Sequence, residues 1–268
     1  MALLRIDKIL SSQNISTRSE TKALIKKGLV TVNGNTVKRP EEKFDPETAV
    51  ITVGGKTVSF KKYLYLMMNK PSGVLSASRD KHTPTVIDLL PAEIKREGLF
   101  PAGRLDKDTT GLLMIAKNDL AAESLMEQLK NHECKRTYHA LVYGVINENK
   151  GRINAPIGRD PDDRKKMAVV KDGKNAITNF TVLKRLKDFT YIECRLETGR
   201  THQIRVHLEY IGHPLVGDKT YGRRKVIGDL GQFLHAKTIG FKHPKTGEWM
   251  EFDSELPDYF KEFMNNLE

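Results

Sequence analysis

The dipeptide Asn33-Gly34 most constrains how the N-terminal part of this chain can fold. It separates two short runs rich in β-branched residues, 29–32 and 35–37. Asn-Gly supplies the two positive φ angles that a tight hairpin turn requires. A further β-branched run at 50–53 supplies a third strand. The pattern therefore predicts a small sheet built around a hairpin.

Two helices are expected before that hairpin. The first is short and begins at Arg5. The second opens at a capping box formed by Thr17 and Glu20 and continues to Lys27, where Gly28 is a natural stop. Three basic residues of the second helix are spaced by four, which places them in one stripe: Arg18, Lys22 and Lys26.

The rest of the chain is predicted to form a larger unit that opens with a strand at 63–68. Residues 138–146 and 177–197 are strand-like, and in 190–197 apolar side chains alternate with charged ones. A helix is expected after Asp119, with Ala122, Leu125 and Leu129 on its buried face. The charged segment 158–166 is expected to be a loop. The predicted fold class is α+β: a mixed, mainly antiparallel sheet flanked by helices.

The change of pattern predicts two domains, 1–58 and 59–268. Residues 54–56 fit either a turn that closes the first domain or part of the linker. The net charge of +11 and the sequence pI near 9.5 favour a polyanionic partner.

No run approaches the ~18 apolar residues of a membrane span, so no membrane partner is expected. Asp7 comes too early for a signal peptide, which predicts a cytoplasmic protein. Cys134 and Cys194 are too far apart in sequence to indicate a zinc site, and no metal is expected. Nothing indicates more than a monomer.

Three segments carry the functional signal: residues 103–111, 135–142 and 199–207. The first sets one candidate nucleophilic carboxylate, Asp106, beside the basic Arg104 and Lys107. In their order and spacing the three segments resemble the RNA pseudouridine synthases, which isomerise uridine within RNA without a cofactor. Residues 3–53 resemble the S4 RNA-binding domain. The expected partner is therefore RNA, with ribosomal RNA favoured.

This resemblance implies roles for individual residues. A carboxylate can bond covalently to the nucleoside or abstract a proton from it, and Asp106 is the expected nucleophile. Arg205 matches the arginine that pairs with this carboxylate, and Tyr138 matches the active-site tyrosine that stacks on the base. Arg104 is expected to hold the flipped-out nucleotide. The other expected RNA contacts are Arg5, Arg18, Lys22, Lys26 and Arg200.

Four further polar residues lie inside these segments. Asp108 is interpreted as a turn or cap residue rather than as the second carboxylate of an acid–base pair. The histidines show no metal-like spacing and are interpreted as structural or substrate-adjacent: His139, His202 and His207.

The resemblance divides between two branches of the family. Residues 1 to about 103 look like the branch that modifies small-subunit rRNA, and the remainder looks like the branch acting on large-subunit rRNA and tRNA. Gly103 departs from the second branch, which usually has a histidine there. An alternative function is a non-catalytic RNA-binding factor of ribosome assembly. A glycosidase or metal-dependent nuclease is disfavoured because no carboxylate pair or metal cluster has suitable spacing.

Overall fold

The computed structural model of the chain describes residues 3–13, 15–60, 65–92, 94, 99–117, 119–222, 230–244 and 246–267, with only the backbone of residues 119 and 120. Residues 63–64 of the first predicted strand of the larger unit, and the side chain of Asp119, lie outside the described part.

Residues 3–60 contain two helices and short strands arranged around one apolar core. The elements are β1 (Leu4–Arg5), α1 (Ile6–Ser12), α2 (Arg18–Lys26), β2 (Val30–Val32), β3 (Asn35–Thr36), β4 (Lys43–Phe44), β5 (Ile51–Val53) and β6 (Lys56–Val58). Strands β3, β2, β5 and β6 pair in that order, while β1 pairs with β4. Buried residues of α1, including Ile6, Ile9 and Leu10, pack against Ile25 of α2 and Val30 of β2.

The local predictions for this segment are confirmed. The Glu20 amide donates to Thr17 Oγ1 at 3.1 Å, and the Thr17 amide donates to Glu20 Oε2 at 2.7 Å, which completes the capping box. Asn33 and Gly34 have φ angles of 50° and 82° in the turn between β2 and β3. Residues 54–56, for which two interpretations were open, form the turn between β5 and β6 and the start of β6.

The described part of 65–267 is a unit that contains a large sheet, a separate two-stranded sheet of β12 and β13, and helices. Its elements are β7 (Tyr65–Lys70), β8 (Phe100–Pro101), β9 (Thr110–Ala116), α3 (Asp119–Lys130), β10 (Lys135–Tyr143), β11 (Lys150–Asn154), β12 (Ile157–Arg159), β13 (Met167–Val169), β14 (Ile177–Arg185), β15 (Phe189–Leu196), α4 (Gln203–Tyr210), β16 (Leu234–Lys242), β17 (Trp249–Asp253) and α5 (Asp258–Asn265). The strand order is β11-β14-β15-β10-β16-β9-β7, with β17 on β16 and β8 on β9.

The sheet is mixed and mainly antiparallel, as predicted. Within the described residues its one parallel pairing joins β9 to β16, through His235 opposite Thr110 and Ala236 opposite Gly111. The alternation of 190–197 places Ile192 and Cys194 in the core. None of the helices in the described ranges is long and apolar enough to cross a bilayer.

The structure corrects the prediction that all of 158–166 is a loop. Gly158 and Arg159 end strand β12, which pairs with β13. Only 160–166 form the connection, and Asp160 holds it by accepting from the amides of Asp162 and Asp163. The charged composition concealed the strand because Arg159 lies on an exposed face.

Gly111 allows β9 and β16 to approach at their parallel junction. Its φ is +106°, and a Cβ there would lie 2.3 Å from the backbone oxygen of Ala236. Gly111→Ala should therefore cost ~2–4 kcal/mol of unfolding free energy, from backbone strain and overpacking. Urea denaturation measures this.

Gly212→Ala is the matched control, because Gly212 also has a positive φ, +83°, but nothing lies within 4 Å of the added Cβ. It should cost only ~1–2 kcal/mol. Equal losses in the two variants would show that the contact with Ala236 is unimportant.

Candidate active site

The loop that carries Asp106 connects β8 to β9 and is held at several points. The Leu105 amide donates to Ser76 Oγ at 3.1 Å, and the Ser76 hydroxyl donates to the Leu105 carbonyl at 2.8 Å. The Thr109 amide donates to the Asp106 carbonyl at 3.1 Å, closing a turn. These bonds fix the backbone on both sides of Asp106.

Lys70 also holds the loop that carries Asp106. Its side chain is almost fully buried, with 1% exposure, and its ammonium donates to the carbonyls of Lys107 at 2.7 Å and Pro71 at 2.8 Å. Burial lowers the pKa of Lys70 to about 8, although the charges of Asp108 and Asp106 oppose that shift. The lysine therefore fixes the backbone of this loop, since a buried ammonium must donate its hydrogen bonds to nearby acceptors.

The segment before α4 is the second half of the site. Gln203 fastens it: its Oε1 accepts from the Thr198 hydroxyl at 2.8 Å and from the Arg200 amide at 2.9 Å. His202 adopts a left-handed conformation, with φ of 57°, as the helix N-cap residue. A positive φ is uncommon outside glycine and is often found at functional sites.

Arg205, on the first turn of α4, is bound by two carboxylates. Its Nε and Nη2 donate to Asp218 at 2.7 and 2.9 Å, in a bidentate pair. The remaining Nη1 donates to Asp106 Oδ2 at 3.0 Å. The side chain of Asp218 is fully buried and that of Arg205 is 7% exposed, whereas that of Asp106 is 26% exposed. The pair of Arg205 and Asp218 is therefore buried and rigid, whereas Asp106 is partly exposed to solvent.

The charges in this trio determine its protonation. Burial alone would lower the pKa of Arg205, but the hydrogen bonds and charges of Asp218 and Asp106 raise it above its ordinary value. Burial alone would raise the pKa of Asp218, yet the Arg205 guanidinium and the amides of Tyr221 and Thr220 lower it. Two carboxylates thus share one guanidinium, so the trio carries a net negative charge that Asp106 presents to solvent.

His202 faces the other oxygen of Asp106, with Nε2 3.8 Å from Oδ1. Its Nδ1 lies 2.8 Å from the hydroxyl of Tyr221, and that hydroxyl already accepts from the Met167 amide. The Tyr221 hydroxyl is therefore best placed to donate to Nδ1, which leaves the ring hydrogen on Nε2. Burial lowers the pKa of His202, so the ring is neutral at pH 7.

Asp106 opens into a cavity of about 560 Å³. Tyr138, on β10, lines the same cavity, and the pKa of its hydroxyl is raised by burial. Arg104 and Arg200 are also on its lining, and the Arg200 Nε donates to the Asn175 carbonyl at 2.9 Å. Asp108 is not on the lining, since its side chain packs near Gly231. The cavity thus brings together the residues predicted from three distant sequence segments.

The other predicted RNA contacts lie in the first 60 residues. Arg5 forms a bidentate pair with the buried Asp7, at 3.0 and 2.7 Å. Arg5, Asp7, Arg18 and Lys22 line a second cavity, of about 300 Å³, together with Lys8. Lys26 is exposed and does not line that cavity.

Sequence reasoning missed four residues that build the site: Lys70, Arg136, Asp218 and Tyr221. Asp218 is the most consequential, and its only sequence signal is an acidic residue directly after an apolar run, 214–217. His207, grouped with His202 in the sequence, lies in the core between Thr178 Oγ1 and the Ala155 carbonyl. In the described part of the chain no three His, Cys, Asp or Glu residues converge to hold a metal ion.

Comparison with known proteins identifies the family of the chain. Residues 64–210 match the family model described as RNA pseudouridylate synthase, and residues 4–50 match the S4 domain. The chain belongs to the RNA pseudouridine synthases. An uncharacterized RNA pseudouridine synthase of Bacillus subtilis (strain 168) is 45% identical over 98% of this chain and 94% of its own length.

Other similar proteins carry related names. Ribosomal large subunit pseudouridine synthase D of Neisseria meningitidis serogroup A is 36% identical over 90% of this pseudouridine synthase and 72% of its own length. Among solved structures, human RNA pseudouridylate synthase domain containing 1 is 27% identical, with a TM-score of 0.59 over 78% of this chain and 93% of that chain. Human RNA pseudouridylate synthase domain containing 4 is 23% identical, with a TM-score of 0.63 over 78% of this chain and 91% of that chain. This similarity shows the shared fold.

The buried pair of Arg205 and Asp218 should dominate local stability. Asp218→Ala leaves a buried guanidinium with one carboxylate, which should cost ~3–5 kcal/mol of unfolding free energy at pH 7. The pKa of Asp218 is lower in the folded state, so its contribution is present above its ordinary value of 3.8 and is lost as pH falls through the folded value. Urea denaturation at several pH values should show the difference from wild type shrinking below pH ~4.

Glu197→Ala provides the control, because Glu197 pairs with Arg152 on the surface, with side-chain exposures of 46% and 51%. It should change stability by no more than ~1 kcal/mol. A loss for Asp218→Ala no larger than this would contradict the role given to the buried pair.

Proposed function

We propose that this pseudouridine synthase isomerises uridine to pseudouridine in ribosomal RNA, with Asp106 as its catalytic carboxylate. The observation that carries the proposal is the position of Asp106: one oxygen is held by the buried Arg205, and the side chain opens into the cavity that Tyr138 lines. A carboxylate fixed in this way is ionised, oriented and accessible to a nucleoside.

The reaction breaks the N1–C1′ bond and leaves its electron pair on the uracil. Asp106 either bonds to C1′ as a nucleophile or removes the proton of C2′ as a base. The uracil then rotates and C5 bonds to C1′, while the Asp106–C1′ bond breaks in the first route or Asp106 returns the proton to C2′ in the second. The C5 hydrogen leaves as a proton, and N1 takes up a proton. In both routes Arg205 holds the carboxylate in place while its free oxygen reacts.

The other cavity residues take roles around this step. Tyr138 lies on the strand beside the cavity, where its ring can stack on the extruded base. Arg104 and Arg200 lie on the lining with their guanidinium groups able to reach phosphates. Arg104 holds the flipped-out nucleotide in place of its stacking partners.

The large subunit is the favoured source of the target uridine. The relatives named ribosomal large subunit pseudouridine synthase D align over 90% of this chain, which must include most of residues 1–103. That span supports a large-subunit target for the whole chain, although residues 1–103 also resemble the small-subunit branch. The enzyme acts as a monomer in the cytoplasm, where ribosomes are assembled, and needs neither cofactor nor metal.

Domain 1–58 supplies RNA affinity and domain 59–268 the chemistry. Support comes from the separate apolar core of residues 6–60 and from the basic cavity formed by Arg5, Lys8, Arg18 and Lys22. A non-catalytic assembly factor would have no need of an intact trio of Asp106, Arg205 and Asp218.

Replacement of Asp106 tests the catalytic role. Asp106→Ala should lower the isomerisation rate by ~10⁴-fold or more, yet keep RNA affinity within about tenfold because phosphate contacts dominate binding. Carbodiimide treatment and primer extension on small- and large-subunit rRNA in parallel would locate the product. A large-subunit stop that the variant does not produce is the expected result.

The matched control is Asp108→Asn, since Asp108 is two residues away but does not line the cavity. It should retain a rate within about tenfold of wild type. Pseudouridine formation by Asp106→Ala at the wild-type rate, or the same loss in both variants, would refute the assignment. A stop only in small-subunit rRNA would overturn the choice of subunit.

The basic cavity of the first domain should set the salt dependence of binding. The double variant Arg18→Gln/Lys22→Gln should lower the slope of log affinity against log salt by ~1.5–2, because two phosphate contacts are lost. The rate at saturating RNA should not change. Filter binding across a salt series measures this.

Lys56→Gln serves as the control, because Lys56 is an exposed lysine of the same domain on β6, away from α2. Its slope should match that of wild type. An unchanged slope in the double variant would place the RNA on another surface.

A further inference from the structure

Arg136 is a cation of the active-site cavity to which no role has yet been given. It lies on β10 two residues before Tyr138, so both side chains project from the same face of the strand. Both line the cavity into which Asp106 opens. The charge of Arg136 acts on the Tyr138 hydroxyl, lowering its pKa against the larger effect of burial. The guanidinium is therefore close to the stacking position of the base.

No carboxylate of the described residues pairs with this guanidinium. Its Nε is buried and unpaired, and no hydrogen bond or ion pair joins Arg136 to another part of the described chain. Burying an unpaired cation is costly, and native proteins usually avoid it. A guanidinium in an active site that lacks hydrogen-bond partners is therefore best explained by a ligand that accepts its hydrogen bonds.

The fold makes room for Arg136 in this position. A Cβ on Gly199 would lie 2.6 Å from Arg136 Nη1. The glycine of the segment before α4 thus forms one wall of the space that the guanidinium occupies. Because φ of Gly199 is not in the left-handed region, the need for glycine here is one of space and not of backbone conformation.

The other cations in or beside the cavity are bound to partners or exposed. Arg205, behind Asp106, is bound by Asp218 and Asp106. On the lining, the Arg200 Nε donates to the Asn175 carbonyl, and Arg104 and Lys130 are exposed. Among the described lining residues the one carboxylate is Asp106. Arg136 is thus the partly buried, uncommitted positive charge beside Tyr138.

The proposed reaction creates a matching negative charge. When the N1–C1′ bond breaks, the electron pair stays on N1 and is delocalised onto O2 and O4 of the uracil. This holds whether Asp106 attacks C1′ or removes the C2′ proton. A cation positioned in advance stabilises such developing charge better than water does. A phosphate remains ionised throughout and needs only a cation that the RNA backbone can reach, such as the exposed Arg104.

We propose that Arg136 is a catalytic residue that donates hydrogen bonds to the carbonyl oxygens of the uracil and stabilises the uracil anion formed when the glycosidic bond breaks. The proposal rests on the proposed function, since it requires that the target base enters this cavity. Arg205 then holds the carboxylate of Asp106 in place, and Arg136 stabilises the negative charge of the departing base.

The test compares two RNAs that differ at the target base, one with uridine and one with 5-fluorouridine, under single-turnover conditions with saturating enzyme. Fluorine stabilises the uracil anion, so less help is needed from the protein. Arg136→Gln should slow consumption of the target uridine by ~10²–10³-fold. The loss with 5-fluorouridine should be at least tenfold smaller. Arg136→Lys should recover most of the rate because it keeps the charge.

RNA affinity separates this role from phosphate binding. For Arg136→Gln the Kd should stay within about threefold of wild type, with the same salt slope. Arg200→Gln is the control at the rim: it should weaken binding and lower the slope by about one, with equal effects on both RNAs. Equal losses of rate for Arg136→Gln on both RNAs, or a weaker Kd with a lower slope, would overturn the proposal.

Gly199→Ala provides a second variant that keeps the arginine but displaces its guanidinium. It should give a smaller loss with the same dependence on the target base, and thermal unfolding of all variants checks that they are folded. No base dependence in either Gly199→Ala or Arg136→Gln would refute the proposal. An inactive wild type on uridine would instead refute the proposed function, independently of Arg136.

Discussion

The sharing of one guanidinium between two carboxylates is the interaction on which the site depends. Two of the three guanidinium nitrogens of Arg205 donate to the fully buried Asp218, and the third donates to Asp106. The inner pair is rigid because both partners are out of water, and a bidentate geometry allows little rotation. Asp106 is therefore anchored through one oxygen without being fully neutralised. A carboxylate that shared its guanidinium with no competitor would be more strongly neutralised and less reactive.

The fold brings the members of this trio together from distant positions. Asp106 lies on the connection between β8 and β9, Arg205 on α4, and Asp218 in the segment that leads back towards β16. The parallel pairing of β9 with β16, close after Asp106, fixes one side of the site. Gly111 permits that pairing, and the buried Lys70 holds the loop above it. A few backbone contacts thus connect the sheet to the loop that carries Asp106.

The cations in and beside the cavity differ in burial. Arg205 is almost fully buried behind Asp106, Arg136 and Arg200 are half-buried on the lining, and Arg104 is exposed. This order suits a reaction in which one base is extruded and its phosphates stay outside. Residues 3–60 add a separate cavity lined by four cations and Asp7.

Local structure in this protein followed from local sequence. The capping box at Thr17, the Asn33-Gly34 turn and the alternation in 190–197 each formed as expected, because they depend on hydrogen bonds and side-chain alternation within a few residues. The resemblance of three segments also predicted the pairing of Asp106 with Arg205, and the structure has that ion pair. Their catalytic roles stay predictions.

Tertiary structure alone decided the rest. The sequence did not predict Asp218, Tyr221 and Lys70 as site residues, because their importance arises from what lies opposite them after folding: a guanidinium, a histidine ring and the backbone of a loop. The lack of a partner for Arg136 among the described residues is likewise invisible in sequence, since only the folded structure shows which groups surround it. The sequence by itself determined many of the local elements and the family. Burial, which depends on residues far apart in the chain, decided which of the described charges are paired and which are not.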